Sequence, residues 1–309
     1  MISRRNIRVK VMQTLYTVST LETGLKPGQP QKLLQQHFDQ SRSLLIYLIY
    51  FLTEITRYAE TYAHQKASKH LPTVEDLNIN TKIVGNELLW KMLEDPELKE
   101  QFASQKPGLI ADKELLRRIY LSLVESPEYK AYINNSGRDK NEEKKILEFI
   151  LNDLVLANEN FVSHIEDNFS NWDDDGEMLV QLLVGYIHKP GSIQFKQMMS
   201  PDKEEFSRSL LQTLLEKDEH LQSLIVPKLK NWDPERIAQL DMIMMKMGVA
   251  EFLYFETIPP KVTINEYIDL AKDYSTPQSG HFVNGILDNI HKELVQQGNM
   301  HKVDFKKSS

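Results

Sequence analysis

The chain contains no cysteine. This excludes thiol catalysis, thiolate metal sites and a disulfide framework, and it fits a reducing compartment. Glycine is scarce, with 12 in 309 residues, about half the usual share. Glycine-cradled phosphate loops are missing: neither G-x-G-x-x-G nor G-x-x-x-x-G-K-[ST] occurs, and G-x-S-x-G and H-E-x-x-H are absent too. Positive charge is not in excess. Lys and Arg number 37 against 44 Asp and Glu, a net charge of −7, which rules out a globally basic nucleic-acid binder but not a local basic patch. Long apolar runs are also missing. The longest, Leu44 to Leu52, is closed by Thr53 and Glu54, well short of the roughly 20 residues a membrane-spanning helix needs. No apolar core follows the charged start at Arg4 and Arg5, so no export signal is expected and the chain reads as cytoplasmic, with no cofactor or metal.

What is present points to helices. At roughly 150 residues per domain the length suggests two domains. Ser3 can cap a first helix whose apolar positions Ile7, Val11, Leu15 and Val18 are spaced 4, 4 and 3, one helical face. Gly24, Pro27, Gly28 and Pro30 mark a break. A long helix is expected over about 31–62, with Leu44 to Leu52 buried inside it. Asp95-Pro96 and Ser126-Pro127 each pair a capping side chain with a proline suited to a first turn. Residues 134–140 read as a polar hinge, and Lys82-Ile83-Val84 is too short to count as a strand. Asn171-Trp172-Asp173 recurs as Asn231-Trp232-Asp233 at an offset of 60. Leu151, Leu154, Phe161 and Ile165 align with Leu211, Leu214, Leu221 and Ile225 in the same register. This is either a duplicated helical lobe, with both tryptophans buried and the aspartates capping, or a chance match of helical patterns. The class expected is all-α, built of helical bundles.

Residues able to do chemistry are few. The nine histidines are scattered. Asp173 to Asp175 lack the glycine and distal glutamate of a calcium loop and suit a helix N-terminus. Asp241 and Glu251 lie near one face of a strongly apolar helix, either as a buried acid pair or as partners for backbone or basic groups. The unusual feature is Arg4, Arg5, Arg8 and Lys10, with no acid before Glu22. Cations in a first turn oppose the helix dipole, and arginine forks suit phosphate oxygens. Their face should lie apart from Ile7, Val11 and Leu15. They form either a phosphate-binding face or a solvated one bridged to acids elsewhere.

The C-terminal words carry a resemblance. Glu235-Arg236, Asp241 with the helix to Glu251, Pro260-Lys-Val-Thr-Ile-Asn-Glu266, Ala271-Lys272 and Phe282-Val-Asn-Gly285 are similar, in order and spacing, to the transcription antitermination protein NusB family. The opening Arg4-Arg5-Asn-Ile-Arg8 with Gln13-Thr-Leu15-Tyr16 also resembles that family's first helix. The resemblance covers about residues 3–19 and 204–295. It leaves 20–200 as an expanded middle. The division it suggests is 1–200, 201–297 with the NusB-like helices, and a polar basic tail at 298–309.

The resemblance implies a non-catalytic protein that binds boxA RNA of ribosomal RNA transcripts with the ribosomal protein NusE on RNA polymerase. With that reading Arg4, Arg5, Arg8 and Lys10 are taken as phosphate contacts, and Gln13 and Tyr16 as reaching exposed bases, Tyr16 being otherwise a core aromatic. Lys261, Lys272, Gln278 and His281, left outside by the helical pattern, are further contact candidates, Lys261 and Lys272 for RNA. The resemblance places the segment Tyr274 to His281, with Tyr274, Gln278 and His281, near the partner and RNA. Gln278 stands where several family members carry an acid. The remaining classes are a protein-interaction scaffold without RNA binding and an accessory to RNA modification. Much of the motif also has a plain structural sense. Thr263 and Glu266 read as a capping box. Ile264, Ile268 and Ala271 read as an inward stripe. Phe282, Ile286 and Ile290 read as core, and Asn284-Gly285 as a close helix contact.

Overall fold

The computed structural model describes residues 2–21, 26–229 and 237–303. Among these residues there are fifteen α-helices and no strand, as the scarcity of glycine and of alternating segments leads one to expect. None of the helices is long and apolar enough to cross a membrane. In chain order the first eight are α1 (Arg4–Thr20), α2 (Gln29–Ala67), α3 (Val74–Leu77), α4 (Glu87–Glu94), α5 (Pro96–Gln105), α6 (Lys113–Glu125), α7 (Pro127–Asn134) and α8 (Lys140–Phe149). They are followed by α9 (Glu159–Asn168), α10 (Trp172–His188), α11 (Pro201–Glu216), α12 (Asp218–Ile225), α13 (Gln239–Tyr254), α14 (Pro260–Tyr274) and α15 (Ser279–Gln296).

The chain forms two compact units. One comprises residues 38–198, and the other joins 2–37 to 199–303. The first helix therefore belongs with the C-terminal helices, not with the 1–200 region in which the sequence suggests it.

The 38–198 unit is organised around α2. Leu44 to Ile49, Phe51 and Leu52 are all buried, so the longest apolar run is a core. Phe51 meets Phe161 of α9 at 4.7 Å and Tyr47 meets Phe169 at 5.2 Å. The Tyr47 hydroxyl lies 2.6 Å from Nε2 of His164. The caps form where the residue types ask for them. Asp95 accepts from the amides of Glu97 and Leu98 with Pro96 at the first helical position, and Ser126 accepts from Tyr129 ahead of Pro127. Residues 134–140 are tied to the turn at Lys82 to Gly85. Lys82 Nζ donates to the carbonyls of Tyr132 and Asn135 at 2.7 Å, and Arg138 reaches the Gly85 carbonyl and Glu143. Lys82 and its neighbours form a 3₁₀ turn.

The first Asn-Trp-Asp segment differs in detail from the expectation. Asn171 is the N-cap residue and Trp172 the first helical residue, so Asp173 falls inside the first turn. Trp172 is half-buried, its ring lying over Gly176, where a Cβ would come within 3.0 Å. Asp175 is turned inward, accepting from Ser41 Oγ at 2.6 Å and Asn171 Nδ2 at 2.7 Å. The second segment, Asn231 to Asp233, lies outside the described residues.

The other unit is centred on α13, against which α1, α11, α12, α14 and α15 pack. This helix is apolar nearly all round, as a fully enclosed helix is. Close approach is arranged at Gly248, where a Cβ would meet the Leu287 methyls at 2.8–2.9 Å, and not at Gly285, which has open space beside it. The α15 core face is Val283, Ile286, Leu287, Ile290 and Leu294, and Phe282 is only half-buried beside it. The inward stripe of α14 is likewise Thr263, Tyr267, Leu270 and Ala271, with Ile264 and Ile268 half-buried.

Phe161 is fully buried against Phe51. Phe161→Ala should destabilise the protein by about 3–5 kcal/mol. The exposed neighbour Glu166→Ala should change it by less than about 0.5 kcal/mol. Denaturant titration of both variants checks this, and equal midpoints would contradict the placement of this core.

Candidate functional site

The arginine-rich opening forms α1, capped by Ser3, whose hydroxyl accepts the Asn6 amide at 3.2 Å. Beyond its first turn it is enclosed almost all round as far as Thr14: Ile7, Arg8, Val9, Lys10, Val11, Met12 and Thr14 are all buried. The expectation of four cations on one outward face is therefore corrected. Arg8 is 2% exposed and Lys10 1% exposed. The middle of α1, packed against α11 and α13, leaves Arg8 and Lys10 no outward side.

Arg8 has a defined partner. Its Nε and Nη2 donate to Oε1 and Oε2 of Glu251 at 2.7 and 3.0 Å, a two-point fork. Glu251 is fully buried on α13 and also accepts from Thr263 Oγ1 at 2.9 Å and Tyr267 Oη at 2.7 Å. Arg8 Nη1 lies 3.3 Å from Glu266, and the guanidinium sits over the rings of Phe206 and Tyr267. Burial alone would push the Arg8 pKa down, but the hydrogen bonds and charge of Glu251 more than reverse this and keep it charged. Burial and the Glu251 charge together hold the Tyr267 hydroxyl well above the usual tyrosine range.

Thr263 is thus not an N-cap. The helix begins earlier, at Pro260, and the Thr263 hydroxyl serves the buried carboxylate. Lys302 closes the hub from behind, donating to the Glu251 and Phe255 carbonyls at 2.7 Å. The sequence does not single out Tyr267, Phe206 or Lys302. The available sign is an acid, Glu251, on a helix that is otherwise apolar, since such an acid needs buried donors.

Arg4 and Arg5 remain at the surface, with side chains 42% and 39% exposed. Arg5 donates to Asp273 at 2.7 Å and lies 3.9 Å from Glu266. Arg4 lies 3.6 Å from Asp202 and over the Phe206 ring. Tyr16 is 42% exposed and Gln13 half-buried. Leu15 and Val18 are not core: they line an open cleft of about 290 Å³ with Leu214, Leu215, Met242 and Ile243.

Lys261 and Lys272 are both exposed, one in the first turn of α14 and one in its last, about 16 Å apart along the axis. They do not form a single cluster. Lys272 reaches Asp269 at 3.3 Å, and its stem lies against Gly280. Gln278 and His281 are exposed at the start of α15, and Tyr274 is half-buried. Asp241 and Glu251 are both buried but do not pair. Asp241 accepts instead from Ser279 Oγ at 2.8 Å, which ties the start of α13 to the start of α15. Among the described residues no group of three His, Asp or Glu is placed to hold a metal ion.

Comparison with known proteins matches residues 170–292 to the NusB family. Three curated relatives are each named transcription antitermination protein NusB. The protein from Salinibacter ruber is 40% identical over 102 residues, 33% of this chain and 64% of that protein. The one from Chloroherpeton thalassium is 37% identical over 99 residues, 32% of this chain and 47% of that protein. The one from an Exiguobacterium species is 36% identical over 117 residues, 38% of this chain and 91% of that protein. This chain thus spans about half to two-thirds of the first two relatives and nearly all of the third. No solved structure matches. The family match leaves out α1, yet α1 packs on α11 and α13 inside it.

Removing Arg8 leaves Glu251 buried without its counter-charge, so Arg8→Ala should cost about 3–5 kcal/mol. Arg5→Ala, at a surface pair, should cost less than about 1 kcal/mol. Denaturant titration separates the two, and similar midpoints would contradict the hub. Alkaline pH supplies a second test. The folded Tyr267 keeps its proton above pH 10, where an unfolded tyrosine loses it. The native state then binds more protons than the unfolded one, so stability present below about pH 10 is lost as pH rises further. Tyr267→Phe should start about 1 kcal/mol less stable at pH 7, and its alkaline decline should be shallower than that of wild type.

Proposed function

The chain belongs to the NusB family, and on that premise we propose that it is a non-catalytic transcription antitermination factor. In this reading it binds boxA RNA of ribosomal RNA transcripts together with the ribosomal protein NusE and joins them to RNA polymerase. The observation that carries the reading is the attachment of α1. The buried Arg8–Glu251 fork fixes the first helix to the family's own helices and leaves Arg4 and Arg5 at its water-facing edge. The mechanism is one of assembly: the arginines grip phosphate and set the RNA's register, which carries no sequence information by itself. Tyr16, exposed on the same helix, offers a ring on which an unpaired base can stack. Gln278 and His281, with the half-buried Tyr274, supply the partner side at the start of α15. Lys261 and Lys272 act as separate charges along α14.

The burial of Arg8 and Lys10 halves the phosphate contacts available from α1. For single-stranded RNA each contact contributes about 0.7 to the salt dependence of log K. Arg4→Ala with Arg5→Ala should therefore flatten the slope by about 1.4 and leave the fold intact. The measurement is a salt titration of boxA RNA binding, with and without NusE, for wild type and double variant. Equal slopes in two well-folded proteins would refute the role of α1. Absence of boxA binding with NusE present would refute the reading as a whole.

A further inference from the structure

We propose that Asp202 and Asp273 compete with RNA phosphates for Arg4 and Arg5, and so set the affinity of the α1 edge. The proposal rests on the RNA-binding reading above. It starts from what the two arginines touch in the free protein. Arg5 donates through Nη2 to Asp273 at 2.7 Å, with Glu266 at 3.9 Å behind it. Arg4 lies 3.6 Å from Asp202. A carboxylate and a phosphate offer the same fork of oxygens to a guanidinium. Binding RNA here exchanges one oxyanion for another; no free cation is captured.

The exchange is feasible because both pairs are open to water. Asp202 and Asp273 side chains are 64% and 55% exposed, in the range where an ion pair contributes little and breaks readily. Arg4 stays put when it breaks, and Arg5 keeps Glu266 3.9 Å away. Arg4 lies over the Phe206 ring, which Arg8 also covers, and Arg8 is anchored by its buried fork. The Arg4 guanidinium is thus held ready by a ring that takes no part in the exchange. Asp202 stays ionised, because Ser200 donates to its carboxylate and Arg4 sits close by, which both hold its pKa down.

The displaced carboxylates do not leave. They remain on α11 and α14 beside the incoming phosphate and repel it. RNA that brings only its backbone gains little, and RNA held by further contacts displaces the acids. Asp202 and Asp273 are therefore affinity-setting residues that touch the arginines, not the RNA.

The experiment measures binding of a short single-stranded boxA RNA at low salt to the full chain with NusE. The variants are Asp273→Asn, Asp202→Asn and the pair together, each also made with Arg4→Ala and Arg5→Ala. Glu219→Gln, exposed on α12, changes the net charge equally at an acid that pairs with neither arginine. Asp273→Asn should tighten binding about threefold to fivefold and Asp202→Asn about twofold. Both gains should fade as salt screens the pairs. They should vanish when the arginines are absent, and Glu219→Gln should have no effect. Wild-type affinity in the asparagine variants, with binding still weakened by loss of the arginines, overturns the competition and leaves the RNA reading standing. Gains that persist without the arginines, or that Glu219→Gln reproduces, overturn it as a general charge effect. Binding indifferent to the arginines themselves overturns the competition together with the role of α1, and absence of boxA binding overturns the RNA reading.

Discussion

One buried ion pair organises the C-terminal unit. Arg8 and Glu251 are separated by 243 residues and meet through two hydrogen bonds, at 2.7 and 3.0 Å. Burying both charges carries a large desolvation cost, recovered only when the geometry is good and the remaining polar atoms are satisfied. The surrounding residues supply that satisfaction. Thr263 and Tyr267 fill the other acceptor positions of Glu251, Glu266 faces the outer nitrogen of Arg8, and Phe206 lies under the guanidinium. Much of what reads as a sequence motif around Thr263 to Tyr267 is the set of donors this carboxylate requires. The pair also fixes how α1 is turned, and so decides which of its cations face water.

Helix class and several helix starts were readable from residue type alone. Asp95-Pro96 and Ser126-Pro127 cap as written, because a capping side chain acts on amides two or three residues away. The run Leu44 to Leu52 is core, as its length implies. The site was harder to read for a physical reason. On a helix with one wet face, periodicity separates inside from outside; α1 and α13 are enclosed on nearly all sides, so spacing cannot tell Arg8 from Arg5. The difference lies in Glu251 on a distant helix, which only the folded chain brings near. Phe282 shows the converse. Its spacing from Ile286 and Ile290 suggests core, but the buried stripe runs through Val283 and Leu287.

The thirty-odd residues of the N-terminal segment and the C-terminal helices form a unit that residues 38–198 interrupt. That interruption has its own core, built on α2, α9 and the tyrosines and phenylalanines they bring together. The family match begins at 170 and so reaches only the end of it. An inserted unit with an independent core can be tolerated because lengthening a connection adds loop-closure entropy only slowly. The hub tolerates it because its contacts lie wholly within the other unit.

The wide separation of Arg8 from Glu251 also orders events during synthesis. At about 5–20 residues per second, Glu251 follows Arg8 by roughly 10 to 50 seconds. For that interval α1 is on the growing chain without the carboxylate that anchors it, while the residues of 38–198 are completed and can fold as a unit. The helix α1 is therefore made long before its anchor. A nascent chain halted before α13 carries the arginine-rich segment with Arg8 still lacking its carboxylate, in a form the finished protein does not have.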